Sequence, residues 1–442
     1  MKKSSYNIFV PCENIVVGFN TYQNIYMVIS HNAYRAYNED SLETLESKFP
    51  NCYRNMQSLG FLIADDFDEL AMLRLRNKQE CFASRFFHLM VYPTQDCNLK
   101  CWYCYESHRK DTKMTPEVME RIYLYVKQLI EENAFDSFQL SFFGGEPLLH
   151  FDEVVLPLAN RIKELVEGAG KSFSTFFVTN ASLMNSAIID KLVTLHPKLQ
   201  ITLDGVREKH DRVRIWKKDN APTYDTIINA VRTLSQKEEL ADFALTLRIN
   251  YDNETLERLH DLLEDLLVGI NKKKLHVHFE RVWQTIDSVE DEHRVLLQKT
   301  LMEFTEKGFV VDVGGFSRKD CSCPAEIYSF AVVNYDGSLH KCNGRTLTKE
   351  TACGEITSTG RMEWDGNIIA QRIGLSTFEN PTCLQCKMLP LCMGPCSQKL
   401  IEMGGFDKKI CSMRFVDTSL NDYILQDFRT RALLQQYQDG KL

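Results

Sequence analysis

Between residues 86 and 310 short apolar runs alternate with longer amphipathic stretches. The runs "FFHLMVYPT", "SFQLSFFGG", "SFSTFFVTN", "LQITLDG", "FALTLRINY" and "LHVHFERVW" are rich in β-branched and aromatic residues and predict strands. Between them lie stretches with apolar positions at helical spacing, such as "TPEVMERIYLYVKQLIEENA", where Pro116 suits a first turn behind a Thr115 cap, and "NETLERLHDLLEDLL". Six β-then-α units predict an α/β fold: a parallel sheet closed or nearly closed as a partial (β/α)6 barrel. Chemistry in such folds gathers at the carboxyl ends of the strands. There the sequence places "CNLKCWYC" after the first strand, "GGEP" after the second, "TNA" after the third and "DG" after the fourth.

Outside the array the pattern changes. Residues 1–85 carry short β-like runs ("NIFVPC", "IVVGFN", "NIYMVIS") followed by helical patterns, which predicts a small separate α+β module. From 311 to 415 regular periodicity fades while Cys, Gly and Pro become dense, as expected of a domain organised by metal instead of a large apolar core. Residues 416–442 are expected to form a helical tail. The segment "GAGKS" (168–172) resembles a phosphate loop only superficially, because Leu165 stands where the first glycine belongs and the order is helix-to-strand. It reads as a helix stop. His276 and His278 alternate along the sixth strand and therefore share a face, with a structural or a catalytic role equally open.

A net charge of −8 disfavours a duplex nucleic-acid binder, and no apolar run approaches the ~18 residues of a membrane span. The chain is expected to be cytoplasmic, with neither nucleic acid nor membrane as partner. Fifteen cysteines make a complete disulfide framework a poor explanation because the count is odd. Cys12, Cys52 and Cys81 have no partner pattern and are expected to act as small hydrophobes.

Cys97, Cys101 and Cys104 stand at C-x₃-C-x₂-C spacing. Three thiolates can hold three irons of a [4Fe–4S] cluster and leave the fourth iron for S-adenosylmethionine (SAM), whose one-electron cleavage yields a 5′-deoxyadenosyl radical. The same residues also permit a three-thiol zinc site completed by His108, or reduced structural thiols.

The cysteine motif and "GGEP" together resemble the radical SAM superfamily over most of residues 88–283. The resemblance implies that Cys97, Cys101 and Cys104 ligate the SAM-binding cluster and that Tyr103 lies near the adenine. It implies that Gly144, Gly145 and Glu146 receive the methionine amino group, the glycines letting backbone approach the ligand. Asn180 in "VTNAS" and Thr202 in "ITLDG" fall where relatives contact the ribose, and Arg214 in "HDRVR" where one pairs with the carboxylate.

Further on, Cys323, Gly337, Cys342, Cys383, Cys386, Cys392, Cys396 and Cys411 are spaced as in the SPASM domain of peptide-modifying radical SAM enzymes. That resemblance implies two auxiliary [4Fe–4S] clusters, one on Cys323, Cys342 and Cys396, the other on Cys383, Cys386, Cys392 and Cys411. Cys321 is the preferred fourth ligand of the first, with Cys353, substrate or solvent as alternatives. Two zinc knuckles built from the same residues are the structural alternative.

SPASM-bearing enzymes act mostly on peptides or proteins. Asn343 follows Cys342 where sulfatase maturases carry an aspartate base, and an amide cannot take that proton. Residues 1–85 resemble in pattern the winged-helix-like module with which peptide maturases grip a precursor's leader. The expected function is therefore a radical SAM maturase of a ribosomally made precursor peptide, reduced by a donor such as ferredoxin or flavodoxin. The alternatives are a formylglycine-type sulfatase maturase and a non-enzymatic, metal-stabilised peptide-binding protein.

Overall fold

The computed structural model describes residues 1–313 and 320–441. The expected 311–415 and 416–442 segments thus each contain residues outside the described ones. Among the described residues fourteen strands are of three residues or more: β1 Asn7–Pro11, β2 Val16–Asn20, β3 Ile25–Ile29, β4 Phe86–Val91, β5 Ser137–Phe142, β6 Ser172–Thr179, β7 Lys198–Leu203, β8 Leu245–Tyr251, β9 Leu275–Arg281, β10 Val310–Val313, β11 Phe330–Val333, β12 Ser338–His340, β13 Gly354–Ile356 and β14 Met362–Trp364. Two-residue pairs join Lys2–Lys3 to Leu62–Ile63 and Leu99–Lys100 to Ile215–Trp216.

Strands β4 to β9 are the six expected ones, pair in sequence order and run parallel. Their alternation sets what faces what. Leu245, Leu247, Ile249 and Tyr251 of β8 enter one large core with the surrounding helices, leaving Thr246, Arg248 and Asn250 on the inner face of the curved sheet. The first crossover helix spans Pro116–Glu131, with Thr115 Oγ accepting from the Val118 amide and proline in its first turn. "GAGKS" ends the helix Leu156–Gly168 through Gly170 at φ +73°, as a helix stop should.

The sheet does not close. β10 continues it beyond β9 in parallel, while β11 pairs in parallel with β4 and leads into the antiparallel β12–β14. Both flanks of the six-strand array are thereby satisfied by added strands, leaving one open eleven-stranded sheet. The cysteine-rich segment thus contributes β11 directly to the array's sheet. "NETLERLHDLLEDLL" forms two helices, Asn253–Glu257 and Leu259–Leu267, broken at Arg258. The break lets Leu256 and Leu259 both reach the core.

Residues 1–85 contain the three-stranded meander β1–β2–β3 and helices His31–Glu39, Leu42–Lys48, Pro50–Ser58 and Glu69–Ala83. One face of the meander packs on its own helices through Val16, Met27, Ile29 and Phe61. Ile8, Val10, Val17 and Phe19 on the other face share a core with Met388, Leu391, Cys392, Tyr423 and Ile424. Tyr26 Oη donates to Asp427 at 2.7 Å, and Arg431 donates to the Asn24 carbonyl at 2.9 Å. The meander is therefore built into the cysteine-rich segment and the terminal helix Leu420–Gln438 instead of standing apart.

Candidate functional site

Immediately after β4, Asp96 accepts from the Cys97 amide at 2.8 Å and starts the cysteine loop. Pairing of Leu99–Lys100 with Ile215–Trp216 straps this loop from above, helped by the Lys217 amide on the Asn98 carbonyl at 2.8 Å. The strap follows Arg214 directly, so it also delivers that guanidinium.

The "GGEP" loop after β5 lies against the backbone that precedes Cys97. A Cβ on Gly145 would stand 2.0 Å from the Asp96 carbonyl oxygen, and one on Gly144, at φ +113°, 2.4 Å from that of Thr94. The close approach these glycines permit is between two loops, whereas the sequence reading assigned it to the ligand. Glu146 is buried and accepts from the Leu148 amide (3.1 Å), Thr179 Oγ1 (2.7 Å) and the Asn180 amide (2.8 Å). Its carboxylate ties the end of β6 to the loop, and burial raises its pKa against those hydrogen bonds.

One cavity of about 240 Å³ at the carboxyl ends of the strands is lined by Cys97, Cys101, Cys104, Tyr103, Gly144, Gly145, Glu146, Asn180, Thr202 and Arg214. Every residue expected around the first motif is brought together there. Arg214 is buried beside Asp204 (3.6 Å), with Nη1 3.8 Å from Cys101 Sγ and Nε without a hydrogen-bond partner. Tyr103 Oη donates to the Asp204 carboxylate at 2.7 Å and accepts from Asn250 Nδ2 at 3.0 Å. Burial pushes the Cys101 thiol up to about 11, with Arg214 pulling the other way, and raises that of Cys104 as well. Thiols in this state ligate as thiolates only when a cation replaces the proton.

Several residues of the site were not singled out from the sequence. Asn180 Nδ2 donates to Asn98 at 3.0 Å, and Asn98 in turn to Ser182 at 2.7 Å. Arg248, Asn250, Arg281 and Trp283 complete the cavity. The inward alternation of β8 was the one signal that pointed to Arg248 and Asn250. His276 and His278 lie off the cavity: His276 Nε2 is 3.1 Å from Asp312, and His278 bridges Asp312 and Glu280. His108 approaches Cys104 Sγ at 3.5 Å, as the zinc alternative requires.

Cys383, Cys386, Cys392 and Cys411 line a second cavity of about 380 Å³. Cys323 and Cys396 are hydrogen-bonded to one another, which lowers the Cys396 thiol, and Ser322 Oγ holds the two segments together through the Pro395 carbonyl at 3.0 Å. Cys342 and Cys353 line a third cavity of about 990 Å³, whose wall includes Tyr105 and Trp283 of the first. Cys321 is buried, and the Asn343 carbonyl accepts from Tyr105 Oη at 2.9 Å and Tyr92 Oη at 3.2 Å. Among the described residues no three of these sulfurs lie within 4.8 Å of one another. Cys81 is buried, and Cys12 and Cys52 pack against apolar clusters, as small hydrophobes do.

Residues 91–266 match the family model "Radical SAM superfamily". The Fe-coproporphyrin III synthase of Methanosarcina barkeri is 30% identical over 39% of this chain and 39% of its own length. An uncharacterized protein of Methanocaldococcus jannaschii is 30% identical over 32% of this chain and 46% of its own. The chain thus matches less than half the length of these curated relatives. Among solved structures, anSMEcpe with bound AdoMet and Cp18Cys peptide aligns with TM-score 0.55 at 18% identity, over 80% of this chain and 99% of that one. Streptococcus suis SuiB bound to precursor peptide SuiA aligns with TM-score 0.54 at 15% identity, over 93% of this chain and 99% of that one. These two likenesses are of fold. With its strand-end cysteines, its "GGEP" loop and the match over residues 91–266, the chain carries a radical SAM domain.

Proposed function

We propose that this radical SAM enzyme matures a ribosomally made precursor peptide. The carrying observation is the convergence of Cys97, Cys101 and Cys104 on Arg214 in the 240 Å³ cavity, where the guanidinium is buried with its Nε 3.6 Å from Asp204. The residues fit a [4Fe–4S] cluster and SAM: three thiols on one cavity wall, a buried guanidinium for a carboxylate, and a wall formed by Thr202 and Asn180 for the ribose. When bound, this pair supplies one-electron cleavage of SAM and a 5′-deoxyadenosyl radical that takes a hydrogen atom from substrate.

The chain's own residues hold and shield that chemistry. Arg214, fixed by Asp204, orients a carboxylate; Glu146 holds the ends of β5 and β6 at one distance. Trp283 and Tyr105 stand between this cavity and the 990 Å³ cavity, which suits the core peptide. Cys323, Cys342 and Cys396, with Cys321 as preferred fourth ligand, would hold one auxiliary cluster, and Cys383, Cys386, Cys392 and Cys411 the other. A low-potential donor such as ferredoxin or flavodoxin would reduce them.

Peptide maturation with leader recognition is favoured over sulfatase maturation by coverage. An alignment over 93% of 442 residues leaves about 31 unmatched, so the SuiB likeness extends into residues 1–85. An alignment over 80% leaves about 88 unmatched and requires none of them. Asn343 also lacks the carboxylate of the alternative.

The test is anaerobic reconstitution with iron and sulfide, then dithionite and SAM. The full chain should release 5′-deoxyadenosine and Cys101→Ala should not. Undiminished cleavage by that variant would sink the reading, and absence of cleavage in the iron-loaded wild type would favour the non-enzymatic peptide-binding alternative.

A further inference from the structure

We infer that Arg372 is a built-in counter-charge for the first auxiliary cluster and sets its reduction potential. This rests on the reading that Cys323, Cys342 and Cys396 hold that cluster.

Arg372 lies in the last turn of the helix Gly366–Ile373 and is only 5% exposed. Its Nη2 donates to Gln398 Oε1 at 2.5 Å and its Nη1 to Ser397 Oγ at 3.4 Å, both neutral acceptors. Its Nε has no partner. A buried guanidinium whose hydrogen-bond acceptors are neutral is costly unless a negative charge sits nearby. Two other cations around the same cavity, Lys341 and Arg345, are already engaged. Lys341 donates to the carbonyls of Ile327, Tyr328 and Phe330, and Arg345 pairs with Glu402 at 2.7 Å.

The position of the helix says where the missing charge belongs. Gly366–Ile373 packs against the turn Pro324–Glu326, which follows Cys323, and against the helix Ser397–Met403, which follows Cys396. Arg372 also shares a cavity wall with Cys342. Segments that carry Cys323, Cys342 and Cys396 thus converge near one buried guanidinium. An iron–sulfur cluster bound by thiolates is an anion there, and its potential follows net charge and hydrogen bonds to its sulfurs. A fixed positive charge favours the added electron, so its removal makes reduction harder.

The experiment is an EPR-monitored potentiometric titration of the reconstituted full chain, with iron counted per chain, for wild type, Arg372→Gln and Arg372→Lys. In Arg372→Gln one auxiliary signal should move to lower potential by at least the tenfold change in reduced-to-oxidised ratio that equals about 59 mV for one electron. Arg372→Lys, which keeps the charge, should restore most of the shift. Loss of about four irons in the glutamine variant but not in the lysine variant supports the same conclusion. Wild-type iron and potentials in Arg372→Gln overturn it, as does a lysine variant as defective as the glutamine one. If replacing Cys323, Cys342 and Cys396 together removes no iron, the cluster reading fails instead.

Discussion

At the scale of single residues, Gly145 and Gly168 are opposite cases. A methyl at Gly145 meets the Asp96 carbonyl at 2.0 Å, backbone that cannot step aside without moving Cys97, whereas one at Gly168 meets nothing within 4 Å. Gly145→Ala should cost about 1–3 kcal/mol and lower 5′-deoxyadenosine release at least tenfold. Gly168→Ala should leave release unchanged and raise stability by about 0.5–1 kcal/mol. Thermal melts with the cleavage assay compare the two. His278 supplies a pH signature. Burial opposes its charge, but hydrogen bonds to Asp312 and Glu280 prevail and raise it to about 9. From an unfolded value near 6.5, its contribution is whole below pH about 6.5 and is lost as pH rises through about 9. His278→Gln should flatten the fall in the urea midpoint across that window; an unchanged slope would remove the role. The cysteines were legible because spacing alone carries them. Asn98 and Arg281 were not, because a polar residue in a loop or at a strand end looks like any turn residue until the fold places its neighbours.

At the scale of elements, all six strands expected between 86 and 310 form, because each apolar run is buried against helices and none competes with a helical period. The added strands β10 and β11 were missed. "VVDV" and "FAVV" are only four residues each, and nothing in so short a run says that it will extend a parallel sheet. These two strands extend the expected partial barrel at both of its edges. The edge strand β3 has its own consequence. It pairs only with β2 among the described residues, and Val28 on it is 47% exposed. An unpaired strand edge suits a peptide added as a further strand. Val28→Asp should therefore weaken leader binding at least tenfold by fluorescence anisotropy while leaving iron content and uncoupled SAM cleavage intact. Equal leader affinity in the variant would move recognition elsewhere.

At the scale of the whole molecule, the two ends of the chain make one core. β2 is buried on both faces, since Val17 and Phe19 meet residues from 388 to 424 while Val16 meets the module's own helices. Removing residues 1–84 should therefore uncover the segment that carries Cys386 and Cys392 and reduce bound iron from about 12 to about 8 per chain. Phe19→Ala, which costs about 3–5 kcal/mol at a fully buried site, should act in the same direction. Iron analysis after anaerobic reconstitution decides, and full retention of iron by the shortened chain would show that the shared core does not support the second cysteine set. That core also governs how the protein is made. Tyr26 and Ile424 are 398 residues apart, so at 5–20 residues per second the meander waits roughly 20–80 s on the ribosome with Ile8, Val10, Val17 and Phe19 uncovered. β4 lacks β11 along one edge until residues 330–333 are made. Nascent chains halted before residue 420 should accordingly bind holdase chaperones through the meander, and release should coincide with synthesis of the terminal helix that closes the fold.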